Sequence, residues 1–380
     1  MKIRICIAIL LIISLLALIG STTLNGIDQF YFIISMGIDE TDAGILNLSI
    51  QVSSNNESSK SGNSSSSQSS NSKIYSVEAN SIDEGLIILD NYLNKKINLS
   101  HCSALIFSED VAKKGIKKYF NTLNNNTELR ETCNLIISSS TAYDLMTKVS
   151  NSGEIFSSRL FDYLTNSEKY TGFTNKSTIG TFSKALHTTH CEPTAIYALV
   201  TDNVVQTDGI AIFKNEYMVG HINSLNTIAH LILKKELNEC LLSIDSPFEE
   251  GEKLDLDLSL YQKTNIDVEL INGTPFISVD IYPEGFITSS GKTFDFTSAS
   301  NIKLAENATN EYISTLVKNY LYDITKNFNS DVIGLGCLYK AKFLTEDDFE
   351  KTEWKKIFQD SFFEVNVSSK INSSNLFNKE

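Results

Sequence analysis

Basic residues are in short supply. Against 46 Asp and Glu stand 32 Lys and Arg, a formal net charge of −14 in 380 residues. Setting Lys2 and Arg4 aside leaves −16 for the rest of the chain. That balance argues against a nucleic-acid partner and against electrostatic docking on anionic lipid. Cysteine is sparse too, at positions 6, 102, 133, 191, 240 and 337. Five lie beyond the N-terminal apolar stretch, an odd number without paired spacing, and no C-x-x-C occurs. Neither a disulfide framework nor a paired zinc motif is written here. Cys102 in HCSALIF and Cys133 in CNLII fall in strand-like apolar runs, the usual setting of a buried free thiol. G-x-S-x-G is also missing.

One long apolar run is present. Between Arg4 and Asp28 there is no charge, and Ile5 to Ile19 is almost wholly branched and apolar. About 20 such residues span roughly 30 Å as a helix, enough for a bilayer, and the stretch also fits a secretory signal. With Lys2 and Arg4 held inside, the chain beyond residue ~27 is exported. Signal peptidase prefers small residues flanking one position, and Gly20-Ser21-Thr22 and Ser21-Thr22-Thr23 are poor matches. Leu18-Ile19-Gly20 has the shape of a lipoprotein signal, but Ser21 comes next, and a hydroxyl does not supply the thiolate that a thioether-linked lipid needs. An uncleaved membrane anchor is the expectation.

The exported part is longer than one core supports, so two or three domains are expected. We place an N-terminal anchor at 1–27, an α/β region at 28–205 and a C-terminal α+β domain at 206–380. FYFIISMGIDETDAGILNLSIQVSS reads as a hairpin, with Leu46, Leu48, Ile50 and Val52 alternating against polar neighbours. Residues 53–72 form a Ser/Asn tract with little to bury and read as a floppy loop. KIYSVEAN resumes as a strand, and Ser81-Ile82-Asp83-Glu84 is a capping box opening a helix. HCSALIFS precedes a single helix from Ser108 through Leu123, and CNLIISSS comes after it. Residues 141–190 look mainly helical, and AIYALV opens a new strand set. DGIAIFKNEYMVGHI is a hairpin turning at Lys214-Asn215-Glu216. Four or five strands are expected from residue ~240. A long helix then carries Ile313, Leu316, Val317, Tyr320, Ile324 and Phe328 to a stop at Asn329-Ser330-Asp331. A helix around Trp354 and the strand FFEVNVSSKI close the chain. The fold class is α+β: several domains of mixed sheets packed with helices.

Three motifs invite chemistry. Gly285 to Thr293 resembles a phosphate loop, but five residues separate its glycines instead of four, so a strand-to-strand turn is expected. His187-Thr188-Thr189-His190-Cys191-Glu192 gathers four possible metal ligands, with no second ligand pair at matching spacing. A polar loop ending a helix before Pro193 is the plainer reading. Gly334-Leu335-Gly336 lacks the third glycine of a dinucleotide fingerprint and marks a turn or a close approach. No residue is assigned to catalysis, to a cofactor or to a metal.

Taken in order, several stretches resemble the Ger(x)C family, the C subunits of bacterial spore germinant receptors. They are GIDE, HCSALIFSEDVAKKGIKKYF with ELRETCNLIISSSTAYDLM, DGIAIFKNEYMVGHI, NSDVIGLGCLYK and WKKIFQDSFFEVNVSSKI. The resemblance implies a three-domain α+β protein on the outer face of the inner spore membrane. It also implies an integral A subunit and a transporter-like B subunit as partners, nutrient sensed through the complex, and no catalysis. Two departures stand out. Ser21 occupies the place of the family's lipidated Cys, and Ile371-Asn372-Ser373-Ser374 replaces its usual Ile-Arg-Arg ending. An exported solute-binding or wall-active protein, held by its signal helix, is the alternative. That reading requires a ligand-sized cleft.

Overall fold

The structure, a computed structural model, describes residues 30–53, 72–93, 95–151, 171–201, 205–290 and 298–372. The anchor stretch with Ser21, nearly all of the Ser/Asn tract, and Gly291 to Thr293 of the glycine-rich motif lie outside them. Among the described residues no helix is long and apolar enough to cross a membrane.

Alternating apolar residues build the first sheet. Strand β1 (Phe30–Glu40) pairs antiparallel with β2 (Leu46–Ser53), which pairs with β3 (Ser72–Ala79). On its other side β1 pairs in parallel with β4 (Lys96–Asn98) at its start and with β5 (Ala104–Ser108) further along. Parallel β6 (Asn134–Ser138) and β7 (Thr194–Val200) extend the sheet, and antiparallel β8 (Val205–Lys214) and β9 (Tyr217–Ile222) complete it. AIYALV thus continues the first sheet and does not open a second one. The sheet runs on through β8 and β9, past residue 205. β7, β8 and β9 are consecutive antiparallel strands, and the β8–β9 turn falls at Asn215-Glu216, within the hairpin read from the sequence.

Helices cover both faces. On one lie α1 (Ile82–Tyr92), α2 (Glu109–Lys114), α3 (Lys117–Asn125) and α5 (Ile179–Leu186), over a core that includes Leu48, Phe107, Phe120, Phe182 and Phe213. On the other, α4 (Ala142–Asn151) sets Leu145, Met146 and Val149 against Ile106, Ile136 and Ile196. Where one helix was expected from Ser108 to Leu123, two form. Gly115 takes φ +102° between them, and a Cβ there would stand 2.8 Å from the Tyr217 ring.

The second half has two smaller sheets. One is ordered β10 (Glu239–Asp245), β11 (Lys253–Ser259), β14 (Glu284–Ser290), β16 (Lys370–Asn372); the other is ordered β12 (Thr264–Ile271), β13 (Thr274–Ile281), β15 (Phe362–Val367). Helices α6 (Ser224–Lys234) and α7 (Ala299–Tyr322) share their core, α7 through Ala305, Ile313, Val317 and Tyr320. Strand β8 belongs to both halves. Ala211 and Phe213 point into the first core while Ile210 and Ile212 join the second. Period-two geometry makes one strand a wall between two cores, so the halves cannot move independently without exposing apolar surface.

Candidate functional site

Beyond α7 come three short helices: α8 (Leu335–Lys340), α9 (Glu346–Glu350) and α10 (Trp354–Ile357). They enclose a joint at which several of the family-like motifs meet. Asp331 is its centre. One carboxylate oxygen accepts the amides of Gly334 at 2.9 Å and Leu335 at 2.8 Å. The other accepts the Gly336 amide at 2.6 Å and the Trp354 indole N–H at 3.0 Å. Burial pushes this carboxyl above the ordinary range while the four donors pull it back. Gly334 has φ +85°, which opens α8 so that three successive amides converge. At Gly336 a Cβ would lie 2.6 Å from the Trp354 indole nitrogen and 2.8 Å from the His190 carbonyl. Gly334-Leu335-Gly336 is therefore a turn and a close approach, as its pattern indicated.

The joint reaches into the first sheet. Ser330 Oγ donates to the Phe213 carbonyl at 2.5 Å, and the Glu192 amide donates to the Asp331 carbonyl at 2.9 Å. The Glu192 carboxylate, almost fully buried, accepts the Asn215 amide at 2.5 Å and pairs with Lys355 Nζ at 2.6 Å. Lys355 also donates to Asn215 Oδ1 at 2.9 Å. Thus the β8–β9 turn, the loop before β7, the segment following α7 and the start of α10 are tied by hydrogen bonds, those of Glu192, Lys355 and the Asp331 carboxylate charge-assisted. Trp354 stacks on Tyr339 at 5.6 Å, closing the joint with aromatic surface.

Other motifs of the set hold the first half together. In GIDE, Asp39 caps α4 by accepting the Ala142 amide at 2.8 Å and the Tyr143 amide at 3.1 Å. Glu40 accepts Lys118 and the Tyr119 hydroxyl, each at 2.5 Å. Tyr197 donates to Glu109 at 2.6 Å and stacks on His221 at 4.2 Å. Cys102 and Cys133 sit just before β5 and β6, both buried, with sulfurs 3.9 Å apart.

Beside the joint runs a groove of about 820 Å³ between the halves. The stretch His187 to Glu192 lines it, as the polar loop after α5: His187 turns back to the Ser183 carbonyl at 2.7 Å. Among the described residues no three of His, Cys, Asp and Glu are placed to hold a metal ion. Burial, with Asp331 nearby, pushes the Cys191 thiol up to about 12, and Cys337 is also raised, so neither supplies a thiolate at neutral pH. His190 is lowered by burial and by Lys340. Lys176, Lys184, Lys234 and Lys235 line the groove together with Glu192, Glu236 and Glu346, and Lys234 lies 3.7 Å from Glu236, so its charge is mixed. Among the described residues it assembles no nucleophile with a base. From Gly285 to Ser290 the glycine-rich motif is strand β14, not a turn, because Ile287 is needed in the second core.

The Asp331 joint is absent from the sequence reading. Its signal was an acidic residue three positions before a G-x-G, with the only tryptophan 23 residues beyond it.

Fold and site define a multi-domain α+β protein, mixed sheets packed with helices, whose motif residues lock two halves into one body. Sequence comparison places that class. A model of the spore germination protein N-terminal domain matches residues 25–199, and one described as spore germination B3/GerAC like, C-terminal, matches 208–375. The chain belongs to the Ger(x)C family of spore germination proteins. It is 22% identical over 370 residues to spore germination protein KC of Bacillus subtilis (strain 168), covering 92% of this chain and 90% of that one. Spore germination protein GerQC of Bacillus cereus is 22% identical over 306 residues, 80% of this chain and 82% of its own. The crystal structure of the GerBC protein superposes with a TM-score of 0.58 at 17% identity, over 89% of this chain and 96% of that one, and so shares the fold.

Proposed function

We propose that the protein is a non-enzymatic, membrane-anchored C subunit of a nutrient germinant receptor, working with an A and a B subunit on the extracytoplasmic face of the inner spore membrane. The observation that carries this reading is the family match across both halves in order, together with a joint built from the same motifs. Carboxylates that elsewhere serve as acids or bases are consumed here by backbone amides, an indole and a lysine. The subunit then acts as a rigid body that presents surfaces to its partners. The anchor is the apolar run from Ile5 to Ile19, retained because Ser21 stands where lipid would be attached. Deleting the gene tests the role: nutrient-triggered germination is lost while germination by a trigger that bypasses the receptor persists. Unchanged nutrient response would overturn the reading.

A second reading, an exported solute-binding or wall-active protein, draws support from the groove beside the joint, which is large enough for a small solute. Calorimetric titration with small carboxylates and phosphates separates the two. Micromolar binding that is lost in Lys184→Ala and Lys235→Ala favours a solute binder, and no heat favours the receptor subunit.

A further inference from the structure

Cys102 and Cys133 face each other at one end of the first sheet. Cys102 lies just before β5 and Cys133 just before β6, strands that pair side by side in parallel. Each is held by its own turn: the Cys102 amide donates to the Leu99 carbonyl at 2.9 Å, and the Cys133 amide to the Arg130 carbonyl at 3.0 Å. Next to them the Asn134 amide donates to the Ser103 carbonyl at 2.9 Å. The two backbones are therefore one hydrogen bond apart where the thiols leave them. Both side chains turn into the same core, 2% and 1% exposed, and their sulfurs stand 3.9 Å apart. Among the described residues no His, Asp or Glu joins them in a metal site. A disulfide has its sulfurs about 2.05 Å apart, so each would move by about 1 Å, a shift of the size that side-chain rotation supplies.

We propose that in the exported protein Cys102 and Cys133 are joined as a disulfide, closing the loop that carries β5, α2 and α3. This rests on the extracytoplasmic reading, because only outside the cytoplasm do such bonds persist. The reaction is thiol–disulfide exchange with a disulfide oxidant. Each cysteine gives up its S–H, one S–S bond forms between them, and the two electrons and two protons reduce the oxidant to two thiols. The neighbouring Cys102 sulfur and burial push the Cys133 thiol well above its ordinary value, so inside the closed core it is a poor nucleophile. The bond therefore forms while the chain folds, and the finished core shields it from reductants. It is a structural staple and not a switch. The two residues are 31 positions apart, far enough for the link to restrict the unfolded chain substantially.

The test uses the full chain expressed in bacterial protoplasts. Acid quenching, maleimide blocking of thiols in denaturant and peptide mapping by mass should find the Cys102 and Cys133 peptides linked, two hydrogens lighter than their sum. Cys240, in the second core with its sulfur against the Thr171 and Leu241 carbonyls, should carry maleimide and serves as the internal reference. Maleimide on both Cys102 and Cys133 overturns the proposal, and protease added outside the intact protoplasts shows which premise failed. A digested chain is exported and lacks the bond; a protected chain is not exported, and the extracytoplasmic reading fails with it. A second measurement reads the staple directly. Purified wild type reduced in denaturant and refolded should unfold about 5 °C or more below the oxidised protein, while Cys133→Ala gives one midpoint in both states. The same midpoint for reduced and oxidised wild type overturns the staple.

Discussion

The indole N–H of Trp354 donates to the carboxylate of Asp331 at 3.0 Å, in a site where that carboxylate already takes three backbone amides. This bond joins the last helices to the segment that follows α7, and through Glu192 and Ser330 to the first sheet. It explains the only tryptophan and both glycines of the GLG stretch by one geometry.

Replacing Asp331 with Ala leaves four N–H donors buried without an acceptor, and Asp331→Asn turns an amide NH2 toward some of them. Each unpaired donor costs about 1–3 kcal/mol, so either variant loses about 3 kcal/mol or more. Thermal unfolding should show a midpoint lower by about 6 °C or more. A midpoint unchanged in both variants would deny the joint its structural role.

Gly336→Ala and Gly334→Ala should separate. At Gly336 the new methyl meets the Trp354 nitrogen and the His190 carbonyl, an overpacking worth about 1–3 kcal/mol. At Gly334 the nearest atoms are the sulfurs of Cys191 and Cys337 at 3.5 and 3.6 Å, ordinary contact, so only the backbone strain of about 1 kcal/mol remains. Equal losses in urea titrations would contradict the close approach.

His230 should make stability depend on pH. It is fully buried in the second core, Nδ1 2.6 Å from the Tyr320 hydroxyl, and burial, with Lys234 nearby, holds it well below its ordinary 6.5. The folded state therefore refuses a proton that the unfolded chain accepts. Stability from this group is complete above pH 6.5 and falls below it, by about 1.4 kcal/mol per pH unit, until the folded value is reached. Denaturant titrations between about pH 6.5 and 5 should show this slope, and His230→Gln should flatten it. A wild-type curve already flat there would count against a neutral buried imidazole.

Much of the local structure was legible. The alternation of Leu46, Leu48, Ile50 and Val52 is β2, and Ser81 does accept the Glu84 amide at 3.1 Å, although Glu84 reaches back to the Asn80 amide instead of the Ser81 one. Pairing partners were not legible. Strand β15 joins β13 in parallel across some 80 residues, and AIYALV adds to the first sheet, because ladder hydrogen bonds carry no residue code. The break at Gly115 needed Tyr217, a residue about 100 positions away. The joint was hidden for the same reason: Asp331 becomes a hub only when Trp354 and Glu192 arrive beside it.

Intact mass and N-terminal peptide mapping of protein from spore membranes should find residues 1–20 attached and no acyl mass. A start near Ser21 or Thr23 would mean that partners alone hold the subunit.

The most direct test of the receptor role is isolation of a C-terminally tagged chain from solubilised inner spore membrane, with its companions identified by mass spectrometry. An integral A-type and a transporter-like B-type subunit should be recovered with it in comparable amounts. Recovery of the chain alone, or from the soluble fraction, would contradict that role.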